Sequence, residues 1–186
     1  MILPIVEYGH PALRAKGSPV QTISPEIRKL IDDMLETMYH ADGVGLAAQQ
    51  VGRPLQLCVI DVSAAVDRPS RMWISGKMVD PKKFMPLILI NPSISTSGPA
   101  EHGTEGCLSF PGISASIPRP RRVSVKAISQ LSQPIHFEAE GLLARAVLHE
   151  HDHLKGVLFI DHMSAQDRQR HAPALASLLA KNGNCA

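Results

Sequence analysis

Strong charge of either sign is missing from this chain. Its 19 Lys and Arg against 17 Asp and Glu leave a formal net charge of +2 over 186 residues, too little to argue for a nucleic-acid partner by itself. Cysteine is scarce too. Three residues, widely spaced and odd in number, are not a disulfide framework, and a reducing cytoplasm is the expected compartment. No apolar run approaches the roughly 20 residues that a membrane helix needs. Met1-Ile-Leu-Pro-Ile-Val-Glu-Tyr8 lacks the charged-then-apolar build of a signal peptide and the Arg- and Ser-rich build of a transit peptide. No internal repeat and no domain boundary is visible. The 44% hydrophobic and 19% charged fractions are ordinary for a globular protein, and the length fits one domain over residues 1–186 with a real core.

What is present is chemistry. His149-Glu150-His151-Asp152-His153 reads H-E-x-x-H, after a good helix-forming run from Gly141 to Leu148 and ahead of a plausible stop at Gly156. Successive helix residues rotate by about 100°, so His149 and His153 point from one face toward a single metal ion, with the Glu150 carboxylate beside it. A metal with bound water and a neighbouring carboxylate is the minimum equipment for hydrolysis at neutral pH.

Around this helix the pattern is α+β. Ser24-Pro25 is a helix entry, and Ile27, Leu30, Ile31, Met34, Leu35 and Met38 repeat at helical spacing up to Ala41-Asp42-Gly43. Leu55–Asp61, Leu87–Asn91, Arg122–Ile128 and, more weakly, Ile135–Glu140 read as strands. Ser63 to Met85 reads as a long polar surface loop. Ser164 opens a last helix with Asp167 as an imperfect capping box, Pro173 interrupts or kinks it, and the tail from Asn182 is frayed. Strands mostly precede the metal helix rather than alternating with helices, which excludes a doubly wound sheet.

A catalytic centre of this type needs a third protein ligand. Cys58 lies in the apolar stretch Leu57-Cys58-Val59-Ile60 and reads as a small core residue, while Cys185 falls in the tail. Cys107, in Glu105-Gly106-Cys107-Leu108-Ser109, has a glycine before it and polar neighbours. Taken alone it is either a core thiol or a ligand.

Three motifs together, Gly43-Val44-Gly45-Leu46-Ala47-Ala48-Gln49-Gln50, Glu105 to Ser109 and His149 to His153, occur in order and complete, with Ile90-Asn91-Pro92 and Phe159-Ile160-Asp161 as agreeing neighbours. In these the chain resembles the peptide deformylases from Ile5 to about Ser164. The resemblance implies antiparallel or mixed sheets packed around a central helix that carries H-E-x-x-H, flanked by an N-terminal and a C-terminal helix. It implies that Cys107, His149 and His153 bind a divalent metal, ferrous iron in the cell, with zinc, nickel or cobalt able to occupy the same site. Glu150 is then the proton shuttle, the Gln50 amide and the backbone N–H of Leu108 are oxyanion donors, and Gly45 pairs its backbone with the substrate. The reaction implied is removal of the formyl group from N-formylmethionyl nascent peptides, with release of formate.

Val44, Leu142, the stem of Arg145 and Ala146 are placed near the methionine groove by the same resemblance. Glu105 is expected to hydrogen-bond a ligand imidazole, Asp152 to pair with an arginine such as Arg119, and His151 to face solvent or support a ligand. His10, His40, His102, His136, His162 and His171 are expected in surface or capping roles. Two departures stand out. Family members often carry an arginine a few residues after the cysteine motif, and Phe110 to Ile117 has none; the stretch from Ser63 to Met85 is longer than in compact members and is expected to cover or extend the cleft. Ribosome contact through the C-terminal helix is weakly supported by Arg168, Arg170 and Lys181, whereas Leu175, Leu178 and Leu179 suggest packing on the body. The rival readings are a zinc endopeptidase with Asp161 or His162 as its third ligand, and a catalytically silent metal-binding or ribosome-associated module.

Overall fold

The structure, a computed structural model, describes residues 1–182; Cys185 and the expected frayed tail beyond Asn182 lie outside the described residues. Helix α1 spans Pro25–His40. The Ser24 side chain accepts the Ile27 N–H at 3.4 Å and Pro25 occupies the first turn, the cap read from sequence. Its buried stripe of Leu30, Ile31, Met34 and Met38 packs on Leu46, Leu57, Val59, Ile88 and Ile90.

Seven strands follow: β1 Gly45–Ala47, β2 Leu57–Ile60, β3 Ser70–Ile74, β4 Lys77–Val79, β5 Leu87–Gly106, β6 Ser114–Ile128 and β7 Pro134–Gly141. They form one sheet in the order β1-β2-β5-β6-β7-β3-β4, and every pairing between them is antiparallel. Strand β2 is buried on both faces. Side chains alternate along a strand, so Leu57 and Val59 meet α1 while Cys58 and Ile60 join the cluster around helix α2, Leu142–Leu154. Cys58 is therefore the core residue its apolar setting predicts. In the same cluster, Leu143, Val147 and Leu154 of α2 pack with Val123, Val125, Phe137 and Ala139.

Three expectations are corrected. Ser63 to Met85 is not an irregular loop: β3 and β4 form a hairpin whose turn, Ser75-Gly76, has both residues at positive φ (50° and 74°), the type I′ geometry that suits a two-residue connection. The hairpin adds to the sheet through β3 pairing with β7. Strand β5 does not end at Asn91 but runs on to Gly106. Pro92 and Pro99 fall inside its two register shifts, Ile90/Ser93 and Ser97/Ala100, where a missing N–H interrupts no ladder bond. Finally, Pro173 does not interrupt helix α3, which is continuous over Ala165–Asn182. The carbonyl that loses its donor belongs to exposed Gln169 and is open to water.

Ser164 caps α3 as read, accepting the Asp167 N–H at 3.1 Å and donating to its carboxylate at 3.0 Å. Leu175 and Leu178 pack against a third cluster that contains Phe110, Ile113, Ile117, Leu158 and Phe159. Leu179, grouped with them in the sequence, is 43% exposed.

Candidate metal centre

Helix α2 starts directly from the end of β7. Gly141 makes the turn at φ 73°, and a Cβ there would press into the Pro69 backbone, 3.2 Å from its carbonyl carbon, so only glycine allows the close crossing. The helix then buries Leu143, Ala144, Val147 and Leu148 and carries His149, Glu150 and His153 inward. The two imidazoles lie one turn apart with ring centroids 5.1 Å from each other.

Cys107 comes from the short connection between β5 and β6. Its position is fixed by Phe110, which is buried and stacks on Tyr8 (4.9 Å) while meeting Phe159 edge-on (5.2 Å). The Cys107 Sγ lies 3.3 Å from His153 Nε2. One donor atom each from Cys107, His149 and His153 lies within 4.8 Å of the others. A soft sulfur with two imidazoles, of which Cys107 and His149 line a cleft, matches the donor set that could hold a catalytic divalent metal.

The surroundings divide into two sides. Glu105 accepts from His149 Nδ1 at 3.0 Å, from Arg119 at 2.9 and 3.0 Å, and from Arg145 at 2.9 Å. Burial alone would raise its pKa, but the His149 ring and the Arg119 guanidinium hold it at about 2. Arg119 goes on to Asp152 at 2.5 Å, which also accepts from His162 at 2.8 Å. The expected Glu105–imidazole and Asp152–Arg119 contacts are both present; His162 joins them rather than standing alone on the surface. Arg145 lines the cleft, yet its guanidinium turns to Glu105 and to the carbonyls of Glu101 and Ile117.

On the other side stands Glu150, 4% exposed, with Oε2 making no hydrogen bond among the described residues. Burial is the main reason its pKa rises to about 7. Gly45 lies against it: a Cβ at that position would sit 2.9 Å from the Glu150 carboxyl carbon. Gln50 belongs to a short 3-10 helix, Ala48–Val51. Its Oε1 accepts the Ala47 N–H at 2.8 Å, which turns Nε2 toward Cys107 Sγ (3.5 Å) and Ser109 Oγ (3.3 Å). The backbone N–H of Leu108 makes no hydrogen bond among the described residues and Leu108 lines the cleft.

Desolvation disfavours charge on both His149 and His153. For His153 it prevails and the pKa falls well below the usual value. For His149, Cys107 and Glu105 on its flanks outweigh burial and push the pKa well up. His151, expected to face solvent or support a ligand, is buried, with its pKa lowered to about 4 by burial and then by Lys155. It faces away from the Cys107–His149–His153 cluster because it is two residues, about 200°, from each of the two clustered histidines.

The cleft holds about 610 Å³ and is lined by the predicted Val44, Leu142, Arg145 and Ala146, together with Gly45, Gln50, Cys107, Leu108, His149 and Glu150. Asp161 and His162, the endopeptidase candidates, do not line it. Asp161 is bound by Arg14 at 2.5 and 3.0 Å and His162 by Asp152. Ser109, fully buried against Gln50, and Arg68 at the cleft were not singled out from sequence. The first was available within the cysteine motif; the second had no signal in its polar stretch.

Comparison with known proteins agrees with this geometry. The family described as "Polypeptide deformylase" matches residues 2–169. The chain belongs to the peptide deformylase family. It is similar to the peptide deformylase of Methylacidiphilum infernorum, with 48% identity over 169 residues covering 91% of this chain and 88% of the relative. That of Chromohalobacter salexigens is 44% identical, over 90% of this chain and 89% of its own length. Among solved structures, the Thermus thermophilus peptide deformylase aligns with a TM-score of 0.81 at 34% identity over 100% of both chains. The Synechococcus elongatus peptide deformylase in complex with actinonin aligns with a TM-score of 0.76 at 39% identity, covering 97% of this chain and 86% of that one. The α+β fold and the deformylase reading stand, and the endopeptidase and silent-module readings do not. The family is metal-dependent and acts on N-formyl nascent peptides. No helix of the described residues is long and apolar enough to cross a membrane.

Proposed function

We propose that Cys107, His149 and His153 hold one divalent cation, ferrous iron in the cell, and that Glu150, Gln50, Gly45 and Leu108 act on a formyl group placed beside it. The observation that carries this is the convergence of three donor atoms within 4.8 Å, next to a buried carboxylate with an unpartnered oxygen. Zinc, nickel or cobalt fits the same donor set. A divalent cation held there would supply Lewis-acid polarisation of the formyl carbonyl and a water of lowered pKa.

The remaining work falls to the chain. Glu150 takes a proton at Oε2 from the attacking water and returns it to the departing α-amine. A carboxyl pushed to about 7 suits both directions of transfer near neutral pH. Gln50 Nε2 and the Leu108 N–H donate to the carbonyl oxygen as negative charge develops, and the Ala47 bond to Gln50 Oε1 keeps that amide oriented. Gly45 leaves the edge of β1 open to the substrate backbone, since any Cβ would displace Glu150. The methionine side chain lies against Val44, Leu142 and Ala146. Acyl groups larger than formyl are excluded by contact with protein atoms.

We read the whole chain as one catalytic domain of the cytoplasm. Ribosome contact through α3 has little behind it. Arg168 donates to the Ile160 carbonyl, Arg170 lies 3.6 Å from Asp167, and Lys181 is 2.8 Å from Glu7.

The test is formate release from formyl-Met-Ala-Ser against cleavage of the unformylated peptide, with metal content measured on the same sample. Cys107→Ala is expected to lose the metal and the activity together; normal metal content in that variant overturns the ligand set. Iron as the working ion predicts loss of activity in air and recovery with ferrous iron under anaerobic conditions.

A further inference from the structure

Two arginines line the cleft, and their donors are used differently. The Arg145 guanidinium is spent inside the protein on Glu105 and on backbone carbonyls, and its side chain is only 11% exposed. Arg68 is exposed, and among the described residues its side chain makes one hydrogen bond, from Nη2 to the Thr104 carbonyl at 3.2 Å. Among the described residues no carboxylate lies within ion-pair distance of it. An arginine has five N–H donors in a planar fork, so most of this group's capacity faces the cleft unused.

Its position along the cleft is set by the backbone. Pro69, the next residue, accepts the Leu142 N–H at 3.3 Å, which pins this segment to the first turn of α2. His149 lies seven positions further along that helix (149 − 142), about 10 Å away at 1.5 Å per residue. An extended peptide advances about 3.3 Å per residue, so that span corresponds to about three residues. Between the two ends the cleft runs past the open edge of β1 at Gly45 and the Thr104–Gly106 end of β5.

We propose that Arg68 is a specificity-determining residue that receives a carboxylate two or three residues beyond the formyl-methionine of the substrate. The assignment rests on the deformylase reading of the same cleft. It also answers the missing arginine after the cysteine motif: the cation reaches the cleft from the segment ahead of β3, not from the loop after Cys107. The carboxylate is either an acidic side chain or, in a short peptide, the C-terminus.

The experiment compares kcat/KM for formate release by the metal-loaded enzyme on formyl-Met-Ala-Ser amide, formyl-Met-Ala-Glu amide, formyl-Met-Ala-Lys amide and formyl-Met-Ala-Ser with a free carboxylate. The glutamate and free-acid peptides are expected to exceed the serine amide by about two- to five-fold. The difference should lie in KM, with kcat unchanged, and should shrink as salt is raised. Preference for only one of these two peptides identifies which source of carboxylate reaches Arg68. Arg68→Ala should level the series, and Arg68→Glu should invert it in favour of the lysine peptide. Wild-type preference that survives Arg68→Ala, or no preference at all with normal turnover of the serine amide, overturns the assignment. Absence of formate from every peptide would instead overturn the deformylase reading.

Discussion

Two buried glutamates, Glu150 on α2 and Glu105 at the end of β5, stand beside the same cluster of Cys107, His149 and His153 and are treated in opposite ways. Glu105 is locked by two guanidiniums and an imidazole and is held at about 2. Glu150, on the side of β1, keeps one oxygen without a partner and is raised to about 7. The same side chain is a fixed anion in one place and, in the proposed mechanism, a movable proton acceptor in the other. Full satisfaction of hydrogen bonds suits positioning; an unsatisfied buried oxygen suits chemistry.

The sharpest way to break this contrast is to neutralise the proton acceptor. Glu150→Gln is expected to lower kcat by about 10²- to 10⁴-fold, with metal content unchanged. Retained turnover would place the proton shuttle elsewhere. Next in size is the anchored side. Arg119 is 6% exposed and serves both Glu105 and Asp152. Arg119→Ala takes a guanidinium from both Glu105 and Asp152, leaving Arg145 and the two histidines as their partners, and should cost about 3 kcal/mol of folding stability, measured by denaturant unfolding. A loss below ~1 kcal/mol would mean the network relaxes without it.

Glu105→Gln keeps the shape and removes the charge behind His149. Metal affinity should fall by about 10- to 100-fold, read by competition with a chelator, while Glu150-dependent proton transfer in the loaded enzyme persists. An unchanged affinity would reduce Glu105 to a packing role.

The smallest effect belongs to an ion pair outside the network, Arg14–Asp161, whose side chains are 44% and 33% exposed. Burial raises the Asp161 pKa, but the bond to Arg14 outweighs it and the net shift is downward. A depressed folded pKa means the stabilisation is complete above the unfolded value near 3.8 and fades as pH falls through the lower folded value. Asp161→Asn should therefore be less stable by about 1 kcal/mol near pH 7 and match the wild type near pH 2 in thermal melts. Equal stability at both pH values would show the pair to be neutral.

The reactive side was more legible in the sequence than its surroundings, for physical reasons. H-E-x-x-H declares its own geometry, because helical spacing alone aligns His149 with His153. The α1 cap at Ser24-Pro25 and the core role of Cys58 follow from local chemistry in the same way. Cys107 could not be placed by spacing, since its distance from the helix depends on how the β5–β6 hairpin folds; the family motif supplied that. The far half of β5, from Pro92 to Gly106, carries Ser, Pro and Gly and little of a strand's usual composition, because it is mostly exposed and held by pairing with β6. The β3–β4 hairpin hid for the same reason. The solvent-facing alternative for His151 fails because facing away from His149 and His153 is not the same as facing water: α2 is buried on nearly every side.

The placement of Cys107 has a mechanical corollary. It and His153 are 46 positions apart in the chain, on a hairpin loop and a helix that share no covalent link nearer than β6 and β7. A cation gripped by both is a clasp across that interval, restraining the unfolded chain as a crosslink of similar span would, by about 4 kcal/mol in the chain-entropy picture. On the proposed ligand set, chelation is expected to do more than silence the enzyme: it would unfasten the strand-borne half of the cleft from the helical half.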